Sequence, residues 1–239
     1  MIAFSDQTNR EMYTNGVLPY ERAPHLLIAF PTEMTTLFSA QQVQPILMTS
    51  RDGGHTFTRH GEALIPGEAP RERDGNRSNF MAHGLVRGNE REYFVYATEG
   101  YGYEETDALP EWRRQSFAPQ TRLRRFTYRV DGFVSARAGI DGGAVVTKPL
   151  VFQGNQLVLN YIAWPAHARE VRVELQDATG QPLEGLTLAE CTPLRGDEID
   201  APVTWQSGAT PGDYAGTPVR LRFQLKHADL FSFWFVEQR

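Results

Sequence analysis

Single apolar residues alternate with polar ones in stretch after stretch of this chain, as in Val171, Val173 and Leu175 against Arg172, Glu174 and Gln176. A period of two suits a β-strand, whose successive side chains point to opposite faces, and lays no continuous stripe along a helix of 3.6 residues per turn. Helical periodicity is scarce. Gly and Pro, 21 and 15 of the 239 residues, punctuate the alternating runs, and 11% of the chain is aromatic, a mixture suited to short strands and tight turns. The sequence therefore predicts an all-β protein.

Strands are predicted at 25–30, 45–50 and 55–59, followed by a hairpin of 81–87 and 92–98 around Gly88-Asn89-Glu90. Another strand is predicted at 121–129, with Leu123 and Phe126 as its core contacts. The intervening 99–120 segment is polar and aromatic, too long for a routine hairpin, and of the kind that is either functional or disordered. From residue 131 the texture changes. Strand candidates follow at 132–138, 144–152, 156–164 and 170–177, and 219–225 and 230–236 read as a hydrophobic pair around Lys226-His227-Ala228-Asp229. Alternation at this spacing implies an antiparallel β-sandwich of about eight strands. The expected division is 1–129 and 130–239.

Charge and composition narrow the function classes. A formal charge of −5 argues against a general nucleic-acid role, which needs a basic face. The local density of Arg122, Arg124 and Arg125 reads as a solvated or ion-paired strand. Cys191 is the single cysteine, so no internal disulfide forms and the redox compartment stays open. No apolar run approaches membrane-spanning length, so no membrane partner is expected, and the opening residues lack the regions of a signal peptide. Localisation is left open; a full-length parent could be secreted or periplasmic. No pair of the six histidines has metal-ligand spacing, and no phosphate-binding or dinucleotide fingerprint occurs; neither a metal nor a cofactor is expected.

One motif carries a specific mechanism. Ser50-Arg51-Asp52-Gly53-Gly54-His55-Thr56-Phe57 fits the pattern Ser-x-Asp-x-Gly-x-Thr-aromatic and resembles the Asp-box of sialidases and related propeller proteins. The motif is structural: Asp accepts turn hydrogen bonds, Gly supplies unusual backbone angles and the aromatic packs between strands.

A broader series runs through Tyr13-Thr14-Asn15-Gly16-Val17-Leu18-Pro19-Tyr20, Ala23-Pro24-His25, Asn76-Arg77-Ser78-Asn79, Leu123-Arg124-Arg125-Phe126 and Asp131-Gly132-Phe133-Val134-Ser135. With 188–197 and the ending 228–233, it resembles the C-terminal half of glycosidase-like proteins that join a five-bladed propeller, similar to that of glycoside hydrolase family 32, to a C-terminal sandwich. The resemblance implies a partial β-propeller followed by the sandwich. At ~40–50 residues per blade, 1–129 supplies about two blades. Two blades close no ring, so the resemblance implies a fragment of a carbohydrate-active enzyme, incomplete for hydrolysis of glycosidic bonds, or else a non-catalytic carbohydrate-binding or scaffolding module. Its partner would be an oligo- or polysaccharide, and its open propeller edges leave room for self-association.

The family's first two acidic motifs, Trp-x-Asn-Asp-Pro-x-Gly and Arg-Asp-Pro, are absent here. Glu190-Cys191 mimics the third but falls in the expected sandwich, and a retaining glycosidase needs two carboxyl groups about 5 Å apart. The catalytic candidate is instead Glu99, which closes a strand beside Tyr101, a ring suited to stacking on sugar. Arg77 and Asn79 suit the fixing of sugar hydroxyls or a carboxylate, and Asn15, Tyr20, His25 and His83 would line a pocket if their strands border a channel. Each has a plain structural alternative, from a loop carboxylate paired with arginine to a hydrogen-bonded packing histidine.

Overall fold

The computed structural model describes residues 10–37, 40–65, 80–99, 122–163 and 169–237. Among them the protein is all-β, built from antiparallel sheets, with one 3-10 turn at Pro211–Tyr214 and no α-helix. It separates into two compact units, Met1–Tyr128 and Arg129–Arg239.

The first unit contains β1 (Arg10–Met12), β2 (Val17–Tyr20), β3 (Ala23–Ala29), β4 (Thr32–Leu37), β5 (Ala40–Ser50) and β6 (Thr58–Ala63). They form one sheet in the order β1-β4-β5-β3-β2, with β6 also on β5. β5 is the hub. Its first half pairs with β4, and its second half, Ile46 to Ser50, pairs with β3 and β6. Ile46, Leu47 and Met48 are all buried, because neighbouring chain covers both faces of this strand. Ile46, Met48 and Ala29 form a small core, with Met12, Val17 and Phe57 packed against it.

A second sheet holds β7 (Phe80–Met81), β8 (Val86–Arg87), β9 (Glu92–Glu99) and β10 (Arg122–Arg129). β7 and β8 both pair with β9, so the expected 81–87 strand is interrupted by a bulge at 82–85. Along β10 the expectation for Leu123 fails: it is 63% exposed, whereas Phe126 and Tyr128 turn inward. Residues 123 and 126 are an odd number apart and so point to opposite faces of one strand. Tyr128 instead donates to the Leu64 carbonyl at 2.7 Å.

The second unit contains β11 (Ala136–Ala138), β12 (Gly143–Val146), β13 (Gln156–Ala163), β14 (Glu170–Asp177), β15 (Gly196–Pro202), β16 (Val219–Lys226) and β17 (Ala228–Val236). One sheet runs β11-β17-β13-β15 and the other β12-β16-β14. Their buried faces share one core, with Leu157, Leu159 and Tyr161 from the first sheet and Val173, Leu175, Leu221 and Phe223 from the second. Strands β16 and β17 do not pair, contrary to the sequence expectation. His227, at φ 46, passes the chain from one sheet to the other. The alternation of β14 is as expected on its apolar face, but Glu174 and Gln176 on the other face are also buried. The 182–190 segment lies along them, and the Leu188 amide donates to Glu174 Oε2 at 3.2 Å.

Candidate functional site

The residues of the 50–57 motif form the turn between β5 and β6. Ser50 Oγ donates to Asp52 Oδ1 at 2.8 Å and accepts from the Gly54 amide at 2.9 Å. Asp52 in turn accepts from the Thr56 amide at 2.9 Å and the Thr56 hydroxyl at 2.6 Å. Gly53 and Gly54 have φ of 72° and 91°, which a residue with a Cβ rarely adopts. The hydroxyl and amide of Thr56, followed by Ser50, hold the Asp52 carboxyl well below the usual carboxylate range. All of this chemistry is spent on the turn.

The candidate ligand site lies elsewhere in the same unit. Thr14, Asn15, Gly16, Phe30, Met81, Ala82 and His83 line a cavity of about 220 Å³. The segment between β1 and β2 forms one wall. It is pinned by the Tyr13 amide to the Thr32 carbonyl at 2.8 Å and by the Thr32 amide to Thr14 Oγ1 at 3.0 Å. Gly16, at φ 56, turns this segment; a Cβ there would sit 3.2 Å from the Phe30 carbonyl oxygen. The bulge between β7 and β8 forms the other wall, held to β9 by the Ala82 amide on the Tyr96 carbonyl at 2.8 Å.

Asn15 Oδ1 accepts from the Gly16 amide at 2.6 Å. No described residue accepts from its Nδ2. His83 Nε2 lies 3.3 Å from the Val17 carbonyl, which can only accept, so the ring proton sits on Nε2 and Nδ1 is an acceptor in the neutral ring. The cavity thus combines an amide donor, the Thr14 hydroxyl and an imidazole acceptor with the apolar walls of Phe30 and Met81. Tyr13 is 64% exposed next to Thr14, its ring edge-on to Phe80 with centroids 5.8 Å apart.

Of the residues singled out from sequence, Asn15 and His83 meet here. Tyr20 does not: it is buried, edge-on to Tyr93 at 5.9 Å, beside a cluster in which Tyr93 donates to Glu21 Oε2 at 3.1 Å and Arg87 reaches Glu90 Oε2 at 3.1 Å. Burial pushes the Tyr93 hydroxyl up. His25 is exposed on β3 and is not among the residues lining the cavity. Glu99 closes β9, its backbone but not its side chain being among the described residues. Arg77, Asn79 and Tyr101 lie outside the described residues.

Three polar groups in this unit had no sequence signal. Glu33 on β4 is buried and receives Arg59 on both oxygens, at 3.0 and 2.9 Å. Beside it, the buried Thr32 hydroxyl has no partner among the described residues. His60 bonds Thr49 Oγ1 at 2.7 Å, and burial, then Arg51, push its imidazole down.

In the second unit, Glu190 caps its own turn, accepting from the Thr187 hydroxyl at 2.8 Å, and the Cys191 sulfur is buried, accepting from the Val173 amide at 3.2 Å. Asp197 is engaged by Arg129, and Asp229 by Ser135 and Arg137. Among the described residues no group of three acidic, His or Cys side chains is placed to hold a metal ion.

No protein-family model matches the chain, and no curated protein matches it in sequence.

Proposed function

We propose that the chain belongs to a carbohydrate-active protein and that its own part is to bind a sugar through the Asn15–His83 cavity. The observation that carries this reading is the convergence of an amide, a hydroxyl and an imidazole on one small cavity with apolar walls. That combination suits a polyhydroxylated ring with one apolar face. At about 220 Å³ the cavity is smaller than the ~300–1,000 Å³ of drug-sized sites, which favours a single sugar unit. Among the described lining residues none is a carboxylate, so the groups these residues bring to the cavity are binding groups rather than an acid/base pair.

The architectural reading belongs with it. Strands β2, β3, β5 and β6 lie side by side and antiparallel, with β4 between β3 and β5 in the chain and the 50–57 turn at the last hairpin; four such strands would make a propeller blade. β7 to β10 would contribute to a second blade. The two sheets of Arg129–Arg239 around one core would be the ancillary sandwich. The hydrolase reading keeps one specific support. Glu99 lies two residues along β9 from Ala97, the strand partner of the cavity residue Met81.

Binding is tested by titrating the chain with neutral and acidic mono- and oligosaccharides under NMR observation. We expect at least one to bind, and Asn15→Ala and His83→Ala each to weaken it by about tenfold, the loss of one or two hydrogen bonds. Absence of binding across the set, or variants that bind as well as the parent chain, would sink the assignment. Sugar release that disappears in Glu99→Gln would make the chain itself a hydrolase.

A further inference from the structure

β12 is an edge strand. Among the described residues it pairs only with β16, and all four of its residues are exposed. Its apolar side chains are not covered: Val145 is 38% and Val146 50% exposed, with Ile140 and Val151 also open on either side. An exposed apolar edge offers unpaired backbone groups as a template for another strand.

The register says which groups those are. Val145 stands opposite Phe223, and the Thr147 amide donates to the Leu221 carbonyl at 2.9 Å, continuing the same register. Hydrogen-bonded residues alternate along an antiparallel strand, so 143, 145 and 147 turn their amides and carbonyls toward β16. Ala144 and Val146 turn theirs outward.

We infer that β12 is a self-association edge, at which a second copy of this chain adds its own β12 antiparallel about a two-fold axis through Val145. Three features of the strand select that occupant. First, the outward residues match: Ala144 of each copy falls opposite Val146 of the other, and each such pair exchanges two N–H···O bonds. Second, Val145 meets its own mate in the non-hydrogen-bonded position, where side chains come closest. Phe223 opposite it belongs to the buried core, so the two valines extend the apolar face across the axis. Third, the flanking charges are complementary. Asp141 precedes the strand and Lys148 follows it; both are exposed, and neither is in an ion pair among the described residues. The antiparallel register puts Gly142 of one copy opposite Lys148 of the other, so the lysine reaches Asp141 at both ends of the ribbon. A parallel addition would set like charges together instead.

A four-residue ribbon buries little area, so the dimer is weak and concentration-dependent. Sedimentation equilibrium of the full chain over a wide concentration range tests it. The parent chain is expected to pass from monomer to dimer. Val145→Lys, which sets two ammonium groups on the axis while leaving the bonds to β16 in place, is expected to stay monomeric with an unchanged circular dichroism spectrum. Asp141→Lys and Lys148→Asp should each weaken dimerisation about tenfold, and the double exchange should restore it. A parent chain that is monomeric throughout, a dimer indifferent to Val145→Lys, or a double exchange without recovery would each overturn the proposal.

Discussion

The guanidinium of Arg129 donates from Nε to Asn160 Oδ1 at 2.6 Å, across the β-bulge of β13. Asn160 is fully buried, and its Nδ2 donates to the Val130 carbonyl at 2.7 Å. The remaining donors of Arg129 reach Asp197, the Tyr161 carbonyl and the Glu198 carbonyl. Both pairings of β13 shift register at this point, with β15 between Leu159 and Tyr161 and with β17 between Asn160 and Tyr161. One side-chain pair thus ties the first residues of the second unit to two strands, β13 and β15, and engages the Tyr161 carbonyl where the bulge shifts the register.

Asn160→Ala is accordingly expected to destabilise the second unit by about 2–3 kcal/mol, because it leaves both a charged donor and a buried carbonyl unpaired. Arg129→Lys should also destabilise, since an ammonium cannot reproduce the planar fork. Urea unfolding followed by tryptophan fluorescence measures both; an unchanged midpoint for Asn160→Ala would contradict the clamp.

Asp52 sets a pH dependence. Its folded pKa is depressed, so its contribution is fully present above the ordinary aspartate pKa of about 3.9 and is lost as the pH falls toward the folded value. Asp52→Asn should therefore lower the melting temperature of the first unit at pH 7, and the gap from the parent chain should narrow as pH drops below about 4. A gap that stays constant down to pH 2.5 would mean that the turn does not depend on the charge.

The Glu33–Arg59 pair gives a third test. Arg59→Met removes the two-oxygen contact from a carboxylate whose side chain is 1% exposed, and a cost of about 3 kcal/mol is expected. Replacing both residues, as Glu33→Leu with Arg59→Met, should recover part of that loss, because the buried charge itself is then gone. If the double variant is as unstable as the single one, burial of charge is not what the arginine offsets.

Local pattern reached part of the fold and part of the candidate site. Alternation alone located the buried face of β14, and the spacing of Ser50, Asp52, Gly54 and Thr56 identified the turn they bond. The same alternation misplaced Leu123, where two apolar residues at odd spacing competed for one face and the aromatic series Phe126 and Tyr128 prevailed. It also joined β16 to β17 as a pair, since a short polar link between apolar strands reads as a hairpin whether or not the chain changes sheet. Asn15 and His83 were each singled out for chemistry, yet nothing in their spacing put them in one cavity.

By itself, then, the sequence determined the all-β class, the strand faces that alternate cleanly and the hydrogen-bonded turn of residues 50–57. Each of these depends on residues a few positions apart, and backbone geometry converts such spacing directly into direction. Tertiary structure alone decided that Asn15 and His83 line one cavity, that Glu33 is buried against Arg59, that Glu174 and Gln176 are covered and that β12 stands at an edge. Those outcomes depend on which distant segments pair. A strand carries the same period of two whether its neighbour is another strand, a loop or water.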